Sequence, residues 1–110
     1  TDTTGDITLT SVTEDKTDLA TINGYTDVIL STANITVSDD VSKAEADTIN
    51  AYNNAGGTVT LTSITDNFTN VVAAQATAGI AMTAATIETD NTEAVTKANV
   101  EWLHRWCGYS

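Results

Sequence analysis

The chain has 110 residues, with 15 acidic against 4 basic side chains, a formal net charge of −11, 41% hydrophobic residues and 5% aromatic ones. That length suits one domain, residues 1–110, with a modest core, and a field of that sign repels phosphate backbones and anionic headgroups, which argues against nucleic acid and membrane surfaces as partners. No apolar run approaches the roughly 20 residues that span a bilayer, and hydrophobic periodicity at this level argues against disorder.

Four segments, residues 6–13, 27–37, 58–65 and 79–89, alternate or run apolar with β-branched enrichment and read as strands. Between and after them, residues 16–22, 41–55, 68–76 and 92–106 have helical character. In the second helix, Ser42-Lys43-Ala44-Glu45 fits a capping box, and Gly56-Gly57 is expected to end it as left-handed-tolerant residues do. In the fourth, Val95, Ala98, Trp102 and Trp106 make one apolar stripe that Val100 and Leu103 widen. The order βαβαβαβα implies parallel strands, because a helical crossover returns the next strand in the same sense. Thr8, Thr10, Thr60 and Thr62 are expected on a solvated sheet face, with Ile7, Leu9, Val59 and Leu61 pointing inward.

The second half re-states the first. Ile7-Thr8-Leu9-Thr10-Ser11-Val12-Thr13-Glu14 returns 52 residues later as Val59-Thr60-Leu61-Thr62-Ser63-Ile64-Thr65-Asp66, and the same offset, without a gap, pairs Ala33 with Ala85, Ile35 with Ile87 and Gly56 with Gly108. The expected fold is therefore α/β: a solenoid-like repeat domain of about four strand–helix coils in two 52-residue units, 7–58 and 59–110.

The run Ile35-Thr36-Val37-Ser38-Asp39, the helix carrying Ala44-Glu45-Ala46, and Gly56-Gly57-Thr58-Val59-Thr60-Leu61-Thr62 resemble the degenerate Thr/Asp/Ala-rich repeats of large secreted cyanobacterial and marine bacterial cell-surface proteins. The resemblance covers about residues 28–70 and implies an extracellular, cell-surface setting. The aromatic end, Trp102 to Tyr109, departs from it and suits a terminal cap or an assembly contact made by Trp102, Trp106, Cys107 and Tyr109.

Chemistry-bearing residues cluster after the strands: Glu14, Asp15 and Asp18, then Asp39 and Asp40, then Asp66, then Asp90. Such residues cap helix donors, and they are also the oxygen ligands that Ca²⁺ takes, although no EF-hand spacing occurs. If they bind Ca²⁺, the ion should raise thermal stability. Asn34 and Asn67 open N-x-T triplets that can accept glycans. No phosphate-cradling glycine loop, Cys/His metal set or Ser-His-Asp grouping is visible, so no catalysis and no cofactor is expected. The reading is a structural module or a subunit of a self-associating surface filament, whose partners are copies of itself. The alternative is an adhesin-like module that uses the acidic rim or the Thr-rich sheet to bind Ca²⁺, a glycan or another surface.

Overall fold

Each of the four Thr-rich runs breaks into two short strands, because the chain turns a corner inside the run while keeping its apolar side chains on the inner side. In a computed structural model, which describes residues 5–54 and 56–106, β1 (Ile7–Thr8) and β2 (Ser11–Glu14) precede α1 (Lys16–Asn23), and β3 (Val28–Ile29) and β4 (Asn34–Val37) precede α2 (Lys43–Tyr52). Then β5 (Val59–Leu61) and β6 (Ser63–Asp66) lead to α3 (Phe68–Gln75), and β7 (Ile80–Ala81) and β8 (Thr86–Thr89) lead to α4 (Lys97–Trp106). Eight short strands thus stand where four longer ones were expected. Two of the corners are hydrogen-bonded turns, Ala33 N–H to the Leu30 carbonyl at 2.9 Å and Ala85 N–H to that of Met82 at 3.0 Å. Leu30, Ala33 and Met82 are buried at those corners. The described residues form an α/β single domain with four helices and parallel strands.

β1 pairs with β3, β6 with β8, and β2, β4, β5 and β7 form a four-stranded sheet in that order, every pair parallel. The paired residues are always close in sequence: Ile7 stands opposite Val28, Ser11 opposite Asn34 and Ile35 opposite Val59. A helix fills each such interval, as a parallel connection requires.

The two halves carry the same elements. β2, α1, β3 and β4 recur 52 residues later, at equal length, as β6, α3, β7 and β8. The ladders recur too: Ile7 opposite Val28 becomes Val59 opposite Ile80, and Ser11 opposite Asn34 becomes Ser63 opposite Thr86. The last helix departs, since α4 starts 54 residues after α2 (97 − 43). Its polar signature moves with it: the Lys43–Asp47 ion pair of α2 reappears as Lys97–Glu101 in α4. The cap moves as well. Ser42 Oγ accepts from the Glu45 N–H at 3.2 Å, within the expected capping box, and Thr96 Oγ1 accepts from the Asn99 N–H at 3.2 Å. Two residues are therefore inserted between β8 and α4, and the gap-free alignment is corrected there. Trp102 and Trp106 thus stand opposite Thr48 and Tyr52, whereas the 52-residue offset sets them against Asn50 and Asn54.

The core sits where the halves meet. Ile35, Val37, Val41, Ala46 and Ile49 of the first half and Val59, Leu61, Ile64, Val71 and Ala74 of the second are all at most 2% exposed. Removing each larger side chain from water contributes about 1.5–3 kcal/mol. Burial falls toward both ends of the element order. Ile7, expected inside, is 50% exposed, because among the described residues β1 pairs only with β3. Leu9 is half-buried, whereas Val59 and Leu61 are buried; Thr8, Thr10 and Thr62 are exposed and Thr60 is half-buried. Likewise α4 buries no residue: Trp102, Leu103 and Trp106 are half-buried, while Ala98 and Val100 lie exposed and Val95 precedes the helix.

The end of α2 differs from expectation in its cause. The left-handed residue is Asn54, at φ 50°, not a glycine. Gly56 and Gly57 are small for another reason: a Cβ on them would sit 2.0 Å from the Ser31 carbonyl oxygen and 2.1 Å from that of Ala33. The chain passes from the first half into the second across that turn, at van der Waals contact.

Candidate functional site: an acidic edge and an aromatic end

Each of the first three helices takes a side-chain cap from its own segment and a carboxylate from the segment stacked next to it. Asp15 Oδ1 accepts from the Asp18 N–H at 2.8 Å, Ser42 caps α2, and Asn67 Oδ1 accepts from the Asn70 N–H at 2.8 Å. The second set crosses between segments. The Lys16 N–H donates to Asp39 Oδ1 at 3.0 Å, the Lys43 N–H to Asp66 Oδ2 at 2.9 Å, and the Thr69 N–H to Glu93 Oε1 at 3.0 Å. The intervals are 23, 23 and 24 residues, close to those of the strand ladders. Helix N-termini leave backbone donors unsatisfied and carry positive partial charge, so a carboxylate there serves both needs.

Asp40 and Asp90 accept from other donors. Asp40 Oδ1 accepts from Ser63 Oγ at 2.5 Å and Thr65 Oγ1 at 3.0 Å, and Asp90 Oδ1 from the Thr92 N–H at 3.0 Å. Lys16 Nζ donates to the Asp40 carbonyl at 2.9 Å and lies 3.5 Å from Glu45, joining α1 to α2. Glu14, Asp15 and Asp18 stand together on the first segment, where Asp18 shares a hydrogen bond with Glu14 and, with partial desolvation and the charge of Asp15, raises the Glu14 carboxyl above its ordinary range. Asp39, Asp40, Asp66 and Asp90 are distributed along the edge. Among the described residues no three His, Cys, Asp or Glu side chains are grouped to hold a metal ion. If the acidic edge binds Ca²⁺, the melting temperature should be higher in millimolar Ca²⁺ than in chelator, because a ligand selective for the folded state stabilises it; equal melting would leave helix capping as the role of these acids.

Asp66 is the most connected of these groups. Burial opposes its charge, but bonds from Asn70 Nδ2, the Lys43 N–H and the Asn67 N–H, with the Lys43 charge, hold its carboxyl below the ordinary 3.8. A depressed acid stabilises the fold above its unfolded pKa and loses that contribution as pH falls through the folded value. Asp66→Ala is expected to cost about 1–3 kcal/mol at neutral pH by leaving helix donors unsatisfied. The deficit should shrink below about pH 3.8; urea titrations of both proteins at pH 7 and pH 3 check it. Glu14 acts in the opposite sense, since acidification through its raised value relieves the fold.

The aromatic end is a three-ring cluster that includes Phe68, which sequence reasoning missed. Trp102 meets Phe68 edge-on at 6.0 Å and 84°, and stacks on Trp106 at 6.3 Å and 13°. Phe68 opens α3 where the equivalent residue of α1 is Lys16, so an aromatic contact joins α3 to α4 where Lys16 and Glu45 join α1 to α2. The signal was present: it is the chain's only Phe. Cys107 and Tyr109 lie outside the described residues. Of the two N-x-T asparagines, Asn34 is exposed on β4 with its Oδ1 accepting from the Thr58 N–H at 3.0 Å, and Asn67 is half-buried as the α3 cap. A shallow groove of about 570 Å³ runs between α1 and α2, past Thr17, Thr21, Thr48 and Tyr52.

The chain matches no protein-family model, no curated protein and no solved structure. No helix among the described residues is long and apolar enough to cross a membrane.

Proposed function

We propose that the chain is a non-enzymatic structural repeat module, a solenoid-like stack of four strand–helix coils in two units, residues 7–58 and 59–110, displayed at the cell surface and associating with copies of itself. The observation that carries this reading is the use made of the polar edge. Three carboxylates, Asp39, Asp66 and Glu93, are turned onto the helix N-termini of the preceding segment, at intervals of 23 or 24 residues. That is how a stack of repeats, each contacting only its neighbours, holds together. The resemblance to secreted surface repeats supports the extracellular setting, as does the acidic, Thr-rich composition.

The test is a third unit. A second copy of residues 7–58 inserted between Thr58 and Val59 meets on both sides the junction that the chain already makes. In a nearest-neighbour stack it adds one unit and one interface, so the longer protein is expected to fold and to unfold at a higher urea midpoint. An insertion that leaves the protein unfolded, or folded but less stable, overturns the repeat reading. The adhesin-like alternative uses the acidic rim for Ca²⁺ or the Thr-rich sheet face, where Thr8, Thr10 and Thr62 are exposed, and a melting temperature raised by millimolar Ca²⁺ would favour it.

A further inference from the structure

Among the described residues, the two ends repeat the two faces of the central junction without the cover that the junction has. At the junction, Ile35, Val41, Ala46 and Ile49 are buried beneath the second half. Their counterparts at the far end, through the 52-residue offset for Ile87 and the 54-residue offset for Val95, Val100 and Leu103, line an open groove of about 390 Å³. Val100 there is 55% exposed, where Ala46 is 0%. The covering face is duplicated as well. Val59, Leu61 and Ile64 cover the first half, and their counterparts Ile7, Leu9 and Val12 lie partly or fully open at the other end.

Backbone groups tell the same story. At the junction, β4 uses one edge for β2 and the other for β5, with the Asn34 N–H donating to Thr10 and the Ile35 N–H to Thr58 at 2.8 Å. In β8 the N–H groups of Thr86 and, just beyond, Asp90 donate toward β6, so those of Ile87 and Thr89 face the open side. In β1 the Ile7 N–H donates to Asp27, and the Leu9 N–H just beyond it donates to Ile29, which turns the Thr8 N–H outward.

Resting on the repeat reading above, we infer that a second copy of this chain docks head to tail, its β1–β2 edge adding in parallel to β8 in the register of the central junction. Ile7 of the incoming copy stands opposite Ile87, as Val59 stands opposite Ile35, and Val12 meets Val95, as Ile64 meets Val41. Such a contact is heterologous: it leaves one free head and one free tail, so it grows rather than closing as a dimer. The net charge of −11 on each copy opposes it until salt screens the repulsion.

Two edge prolines test this. Thr8→Pro removes the outward N–H of the head, and Thr89→Pro that of the tail, while the bonds to β3 and β6 remain. Sedimentation up to about 1 mM protein, in roughly 0.5 M salt, reads the mass. The parent is expected to grow beyond twice 11.5 kDa with concentration. Each variant alone stays at the monomer mass, and their equimolar mixture stops at a dimer, because only one compatible junction remains. Far-UV circular dichroism reports whether each variant folds; Ile7→Lys, exposed and outside the core, substitutes for Thr8→Pro should that proline unfold the chain. A parent that stays monomeric, a blocked variant that still associates, or a mixture that stays monomeric overturns the inference. A monomeric parent that nevertheless accepts the inserted unit would fail this docking while leaving the repeat reading intact.

Discussion

Gly57→Ala should unfold the chain or cost it about 3 kcal/mol or more, a loss reserved for a few mechanisms such as forced backbone displacement. The added Cβ would lie 2.1 Å from the Ala33 carbonyl oxygen and 2.6 Å from its carbon. Neither atom can step aside cheaply. The same oxygen accepts from Asn53 Nδ2 at 2.8 Å, and the Ala33 N–H closes the turn onto Leu30 at 2.9 Å. Moving the Gly57 strand instead would break the Ile35–Thr58 and Thr58–Asn34 bonds that join the halves. Gly5→Ala is the control, since its Cβ would meet nothing within 4 Å. Urea titration of the three proteins decides the matter, and a Gly57→Ala loss below about 1 kcal/mol would show that the crossing is looser than described.

Asn53→Asp is the second large effect. Asn53 is fully buried at the end of α2, and its amide nitrogen points at the Ala33 carbonyl. An ionised Asp of the same shape sets an anionic oxygen against that carbonyl and buries a charge, which is expected to cost about 3 kcal/mol at pH 7. A protonated Asp can donate to the carbonyl again, so its folded pKa is raised. The sign follows: the penalty is complete above the folded pKa and disappears as pH falls toward the unfolded value near 3.9. The gap in urea midpoint between variant and parent should therefore be widest at pH 7 and narrow at pH 4.5. A gap independent of pH would mean that packing, not charge, is what the site selects.

Much of this was written plainly in the chain. Thr-rich alternation located every strand region, and the helix starts of α1, α2 and α3 fell within two residues of their observed places, because side-chain caps such as Asp15, Ser42 and Asn67 mark them locally. What escaped were features set by neighbours. The corners at Leu30–Ala33 and Met82–Ala85 contain no Gly or Pro to announce them, since the bend is imposed by wrapping around the core. The two-residue slip before α4 is marked in the sequence only by a short block, Val41-Ser42-Lys43-Ala44 against Val95-Thr96-Lys97-Ala98, and the Lys43–Asp47 and Lys97–Glu101 pairs confirm it. The acidic clusters were legible as residues but not as bonds. A carboxylate that reaches a helix start 23 residues away in the chain looks, in one dimension, like any other surface charge.

Every ladder described above joins a strand to one that follows within about one strand–helix interval. Among the described residues no strand waits for a partner from the far end of the chain, as the closing strand of a barrel does, and the loop entropy lost at each pairing stays small. Parallel sheets are ordinarily slow to form because their contacts are remote. Here the first half already contains the partners of β1 and β2 in β3 and β4. A chain emerging from the ribosome N-terminus first could therefore settle β1 through α2 before residue 59 is made, and offer the finished edge of β4 as the template on which β5 is laid.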